Sequence, residues 1–314
     1  MQDGMRNYVA GEGEAPAEPS RRTCGPRGGG GWTSTRMLVA SASPITAARR
    51  LSRRFALPAL RTCRRWSAVI AICVLLLPAA ALANQSTYVL YLPGISGARG
   101  LDRGFVRALQ EGGLSDAIEI DDWTAGNPGI TALLAYDRNQ REAARIALRI
   151  VERRRMHPDE RFILIAHSGG CGVAAWALER LPGDVQIDHL VLLAPALSPR
   201  YDLSRALQHV RGGAVSLWSS RDRFVLGWGT LVFGTIDRRH TFAAGRVGFR
   251  FPVAGDATEY RKLTQLPYDP AWLGAGHLGD HIGMMLRPFA RDVLVPILRE
   301  LSTTIVPATT QPAR

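Results

Sequence analysis

Cysteine is scarce in this chain and badly placed for structural use. Of the four cysteines, Cys24, Cys63 and Cys73 fall within the first 83 residues, which leaves Cys171 alone in the remainder. One thiol makes no intramolecular disulfide, and no cysteine pair has metal-ligand spacing. A disulfide-stapled scaffold is excluded, so stability must come from a packed core. Internal repeats are missing too, and no linker divides the chain beyond residue 84. The uncharged run 66–83 is only 18 residues, at the lower limit for crossing a bilayer of about 30 Å. A composition of 46% apolar and 21% charged residues, with 32 Gly, 19 Pro and a mean hydropathy of -0.03, excludes a collagen, a coiled coil and a wholly disordered chain.

Positive charge is present in excess, but unevenly. The net charge is +12; residues 1–83 hold 12 Arg against 4 acids, and residues 84–314 hold 27 basic against 23 acidic groups. The basic balance therefore belongs mainly to the N-terminal quarter, which follows a targeting logic. Arg61, Arg64 and Arg65 precede the uncharged run 66–77, which is followed by Pro78 and Ala79-Ala80-Ala81-Leu82-Ala83. A positive start, a short apolar middle and a small-x-small end predict a signal peptide over 61–83, cleaved after Ala83. The alternative is an uncleaved anchor from Trp66 to the same Ala83, against which the Pro and the Ala-rich last third argue. Export to the periplasm or the exterior is expected, with membrane anchorage as the alternative. Residues 1–60 are too long for the charged start of a signal. They contain a Gly-rich tract at 25–31 and read as a poorly structured extension, with Met37 a candidate true start and 1–36 a candidate for upstream translation.

From residue 84 the pattern alternates between strand and helix. Thr87–Leu92 is a β-rich run stopped by Pro93-Gly94, residues 101–109 carry Phe105, Val106 and Leu109 on one helical face, and Ala117–Ile120 is a short strand. One long helix is expected over 131–155, with Ile146, Ala147, Ile150 and Val151 on its apolar side. Arg138, Arg141, Arg145 and Arg149 form a stripe on another face. No aromatic platform accompanies it, so it reads as a solvated face and no nucleic-acid partner is expected. Residues 162–166 are a continuous apolar run of the buried-parallel-strand kind, 189–194 reads as another buried strand, and Ala214–Trp218 is a further one. A last helix is expected over 287–301 and a disordered Thr- and Pro-rich tail over 302–314. The predicted class is α/β, a mostly parallel sheet with helices on both faces, forming one domain over 84–301.

The chemistry begins at Ala166-His167-Ser168-Gly169-Gly170, between an expected buried strand and an expected helix. So sharp a turn needs small residues two positions either side of the Ser, and it lifts the hydroxyl above the sheet at a helix N-terminus. On these residues the chain resembles the α/β-hydrolase family over most of 86–301, with Ala in place of the first Gly of the motif. The resemblance implies a Ser nucleophile, then an acid, then a His, in that chain order. Asp222, in Ser219-Ser220-Arg221-Asp222, stands where family members hold the acid, with Asp237 as the alternative. Residues 276–283 offer His277 and His281 ahead of the last helix; the family's His-x-Gly pattern favours His281 as base, with His277 as the alternative. A second small-x-Ser-x-small match, Gly94-Ile95-Ser96-Gly97-Ala98, follows the first strand. It reads instead as the oxyanion loop, with the Ile95 and Gly169 N–H groups as donors. A metal pair at His277 and His281 is disfavoured, because the Gly between them argues against a helix and no Glu stands in a zincin position.

The resemblance thus implies an exported serine hydrolase that forms an acyl-enzyme, acting on a small-molecule or lipid carboxylic ester and calling for neither metal nor organic cofactor. Two alternatives stand beside it: an acyltransferase, in which an alcohol replaces water, and an inactive hydrolase-like binding or scaffold protein. Residues 195–213 hold one short helix over 203–210, too little for a large cap. The irregular stretch 223–263 carries Phe224, Trp228, Phe233, Phe242, Phe249 and Phe251, either roofing the site or filling core. Cys171, one helical turn beyond Ser168, reads as a buried small apolar residue.

Overall fold

The computed structural model describes residues 86–303. The expected extension at 1–60, the signal or anchor segment at 61–83 and the chain beyond 303 lie outside those residues. Six strands, β1 (Thr87–Leu92), β2 (Ala117–Ile120), β3 (Arg161–His167), β4 (His189–Leu193), β5 (Ala214–Trp218) and β6 (Leu263–Pro267), form one sheet in the order β2-β1-β3-β4-β5-β6. Every neighbouring pair is parallel, with Leu90 beside Leu164 and Ile165 beside Val191. The α/β class expected from the alternating runs is the one observed.

Both faces of the sheet are covered over its four central strands, which is why β1, β3, β4 and β5 are largely apolar without alternation. The period of two sends Leu90, Leu92, Leu164, Leu190 and Leu192 to one face. There they meet α3 (Tyr136–Met156), α4 (Gly170–Leu178) and α5 (Ser204–Gln208). Val89, Tyr91, Ile163, Val191 and Leu217 point the other way, against Phe105 and Leu109 of α1 (Gly100–Glu111) and against Phe289, Leu294 and Leu298 near the C-terminal end.

Three elements depart from the sequence reading. The long helix expected over 131–155 is broken at Ala135 (φ -80°, ψ 59°) into α2 (Ile130–Leu134) and α3. Asn139 supports the break, its Nδ2 donating to the Ala132 carbonyl at 2.7 Å from a fully buried position. Strand β6 was not expected at all; its two Leu residues are interrupted by Thr and Gln and closed by Pro, and it is recruited by pairing with β5. The last helix contains a π-helical turn, Ala290–Leu294, and continues to Thr303, into the expected tail. Among the described residues no helix is long and apolar enough to cross a membrane.

Two arginines of the α3 stripe act as a clamp, while Arg141 is exposed as a solvated face requires. Arg145 and Arg149 both reach the buried carboxylate of Asp121, just past β2, and Arg149 also meets Glu119 within β2. Arg153 forms a two-pronged pair with Glu160 at 2.7 Å, fastening the C-terminal end of α3 to the chain leading into β3.

Candidate active site

The strand order reverses between β1 and β3, because the chain leaves β1 for β2 on one side and returns to β3 on the other. In open α/β sheets the crevice beyond the C-terminal ends at such a point is where ligands bind. Here it is bounded by the turn after β3 and the loop after β1.

Ser168 occupies the turn after β3 with φ 52°, a left-handed conformation that a non-Gly residue holds only when its surroundings enforce it. Those surroundings are visible. The Ser168 N–H donates to the Leu193 carbonyl at 2.9 Å, and its carbonyl accepts from the Ala196 N–H at 3.1 Å. Gly170 sits so close to β1 that a Cβ there would lie 2.5 Å from the Pro93 carbonyl oxygen. The small-residue rule read from the sequence is thus a steric demand of the neighbouring strand.

His281 and Asp222 arrive from loops far along the chain. His281 Nε2 lies 3.0 Å from Ser168 Oγ, and its Nδ1 lies 2.7 Å from Asp222 Oδ2. The carboxylate acceptor fixes the proton on Nδ1, which leaves Nε2 able to take the Ser hydroxyl proton. Asp222 is buried, and its other oxygen accepts the Leu226 N–H at 3.1 Å. The loops carrying the acid and the imidazole are tied together, since Ser219 Oγ donates to the Gly279 carbonyl at 2.6 Å. At Gly279 the φ of 89° is left-handed, and a Cβ would lie 2.7 Å from Arg221 Cδ.

The two alternatives are placed elsewhere. His277 is fully buried in an aromatic box, stacked on Trp272 and set edge-on to Tyr268 and Phe289. Its Nδ1 accepts the Gly279 N–H at 3.2 Å, and its Nε2 has no hydrogen-bond partner among the described residues. Burial holds it down to about 4, so it stays neutral at ordinary pH. Asp237 accepts from Ser198 Oγ at 2.5 Å and from Thr235 Oγ1 at 2.6 Å, holding a loop together rather than facing an imidazole.

The loop after β1 lies against the Ser turn. A Cβ on Gly94 would lie 3.3 Å from Ser168 Cβ, and one on Gly169 would lie 2.6 Å from Ile95 Cγ2. The loop is fixed from several sides: Trp123 Nε1 donates to the Pro93 carbonyl at 2.7 Å, the Gly129 N–H to the Ile95 carbonyl at 2.6 Å, and the Ala98 N–H to Asp122 Oδ2 at 2.9 Å.

Sequence reasoning passed over His167, Ser219 and Trp123. His167 Nε2 donates to the His281 carbonyl at 3.3 Å while its ring packs on the His281 ring with centroids 4.9 Å apart. Burial and the nearby His281 imidazole hold His167 down to about 3, so it adds no positive charge beside its neighbour. No sequence signal marks these residues, because each acts through a contact made only in the folded chain. Cys171 is buried with its thiol against the Ala166 carbonyl, and burial pushes that thiol well up. Among the described residues no group of three or more His, Cys, Asp or Glu side chains is arranged to hold a metal ion.

Above Ser168 opens a cavity of about 400 Å³, its apolar walls formed by Ile95, Leu101, Phe224, Val225, Ile282 and Met285. Of the six aromatics noted between 223 and 263, Phe224 lines this cavity, Phe249 is buried in the core and Phe242 lines a separate cleft.

No family model matches the chain, and no curated protein sequence does either. Among solved structures, it is similar to a protein described as a predicted CIB-like hydrolase from Thermoplasma acidophilum (16% identity, 69% of this chain and 88% of that one, TM-score 0.40). It is similar also to a dienelactone hydrolase from Anabaena variabilis (16%, 70% and 86%, 0.39) and to an esterase from Pyrococcus furiosus (13%, 69% and 82%, 0.41). The parallel sheet, the Ser turn after β3, and the Asp and His supplied from beyond β5 and β6 give this chain an α/β-hydrolase-like fold.

Proposed function

We propose that the protein is a serine hydrolase of carboxylic esters, with Ser168 as nucleophile, His281 as general base and Asp222 as the acid that orients and stabilises the imidazolium. The observation that carries this reading is the continuous chain from Ser168 Oγ through both His281 nitrogens to Asp222 Oδ2, at 3.0 and 2.7 Å. The Ser hydroxyl is too weak an acid to attack unaided; as Oγ bonds to the ester carbonyl carbon, its proton passes to His281 Nε2. His281 then returns the proton to the departing alcohol, and water, activated by the same imidazole, resolves the acyl-enzyme.

The Ile95 and Gly169 N–H groups are assigned to the developing oxyanion. Among the described residues neither donates to an acceptor, and both belong to backbone packed at the Ser turn. A donor of this kind is worth about 3 kcal/mol of transition-state stabilisation. The apolar wall of the cavity suits the hydrocarbon part of an ester. Transfer to an alcohol in place of water would use the same groups. Export after cleavage near Ala83 is part of the proposal and rests on the sequence of 61–83. The test is turnover of a short-chain nitrophenyl ester by wild type and by Ser168→Ala. Turnover falling by about three to four orders of magnitude is expected; equal turnover by the two proteins would sink the assignment.

A further inference from the structure

The segment just beyond Asp222 turns its apolar side chains outward. A π-helical turn, Phe224–Gly229, runs into the helix Thr230–Phe233, with Leu226, Gly227 and Thr230 facing inward. Phe224, Trp228 and Val232 are 83%, 67% and 62% exposed. Their spacing of four places them on one side of the segment, and Val225 and Phe233 are exposed beside them. Phe224 and Val225 also line the Ser168 cavity, together with the exposed Leu101 and Ile282. The patch is therefore continuous with the mouth of the cavity. A large exposed apolar patch of this kind marks an interaction surface.

Charge selects the occupant. The exposed charged residues lining the cavity are Arg221, Arg223 and Asp280, while Asp102 and Asp222 are buried and hydrogen-bonded. Arg99 and Arg103, both exposed, flank Leu101. A second copy docking face to face would set these arginines against one another. An anionic bilayer complements them, with Phe and Trp entering the interface and Arg meeting the headgroups.

We propose that segment 223–233 docks the mouth of the Ser168 cavity onto an anionic lipid bilayer. Asp222 holds both parts in one frame, since Oδ1 accepts the Leu226 N–H and Oδ2 faces His281 Nδ1. Docking does not depend on the reaction. Joined to the hydrolase reading, on which this consequence rests, it selects esters presented at a membrane surface as substrates.

The experiment uses the exported chain, cleaved after Ala83 and carrying Ser168→Ala, so that binding is read without turnover and without the apolar run 66–83. Phosphatidylcholine vesicles containing phosphatidylglycerol and brominated acyl chains are added, and Trp emission is compared with and without Trp228→Phe. The expected result is quenching of the emission that Trp228 contributes. Adding Trp228→Ser and Val232→Ser should lower partitioning by about tenfold or more without moving the thermal midpoint, and raised salt should weaken binding. Unquenched Trp228 emission, partitioning unchanged by the Ser substitutions, or a dimer in the absence of vesicles that covers Trp228 would each overturn the proposal. Absence of ester turnover in wild type would count against the hydrolase reading and leave this result standing.

Discussion

Ser168 shows how much one residue depends on its neighbours. Its φ of 52° is costly for a side chain other than Gly, and the backbone bonds to Leu193 and Ala196 hold it there. The two nearby histidines differ by the same logic of surroundings. His281 has a carboxylate on one nitrogen and a hydroxyl on the other, whereas His277 is enclosed by Trp272, Tyr268 and Phe289. Substituting His281 by Ala should lower kcat by about ten-thousandfold with the fold intact. His277→Ala should keep a readily measured fraction of kcat while destabilising the protein by about 2 kcal/mol, through the cavity it leaves. Steady-state kinetics and urea unfolding of the two variants separate the roles; the opposite pattern would exchange them.

The elements that read clearly from sequence are those whose cause is local. β1, β3, β4 and β5 are apolar because both faces of the sheet are covered, and the Ser turn carries its small residues because Gly170 has β1 against it. Ser168, Asp222 and the favoured His281 were singled out by a turn motif and a chain order, and the fold brings these three side chains together. β6 was illegible, since Leu263–Pro267 gains its strand conformation from pairing with β5 at the sheet edge. So was the break at Ala135, where the supporting bond comes from Asn139 on the following helix. Arg145 and Arg149 of the α3 stripe read as solvated because Glu119 and Asp121, which they meet, lie outside that helix. His167, Ser219 and Trp123 were missed for the same reason: their partners at the site are remote in sequence.

At the scale of the whole molecule, packing sets the response to acid. His167 and His277 are held to about 3 and about 4 in the folded chain, both below the ordinary histidine value. Their depressed values mean the unfolded chain binds protons first as pH falls, so their share of stability is full above about pH 6.5 and is lost progressively below it. Each adds at most about 1.4 kcal/mol of lost stability per pH unit in that window. The urea midpoint should therefore be steady from pH 7 to 8 and fall from pH 6.5 towards 4.5. His277→Phe should reduce the slope; a midpoint independent of pH down to 4.5 would contradict the neutral burial of both rings. Assembly of the site is itself a property of the whole fold, because His281 stands 113 residues from Ser168 and 59 from Asp222. The most direct measurement is labelling of the intact chain with a fluorophosphonate probe, natively and in urea, with the modified peptide mapped by mass spectrometry. One probe per native chain, on Ser168, and none on the unfolded chain is the predicted result; a folded chain that takes no label, or takes it on another residue, would contradict the account.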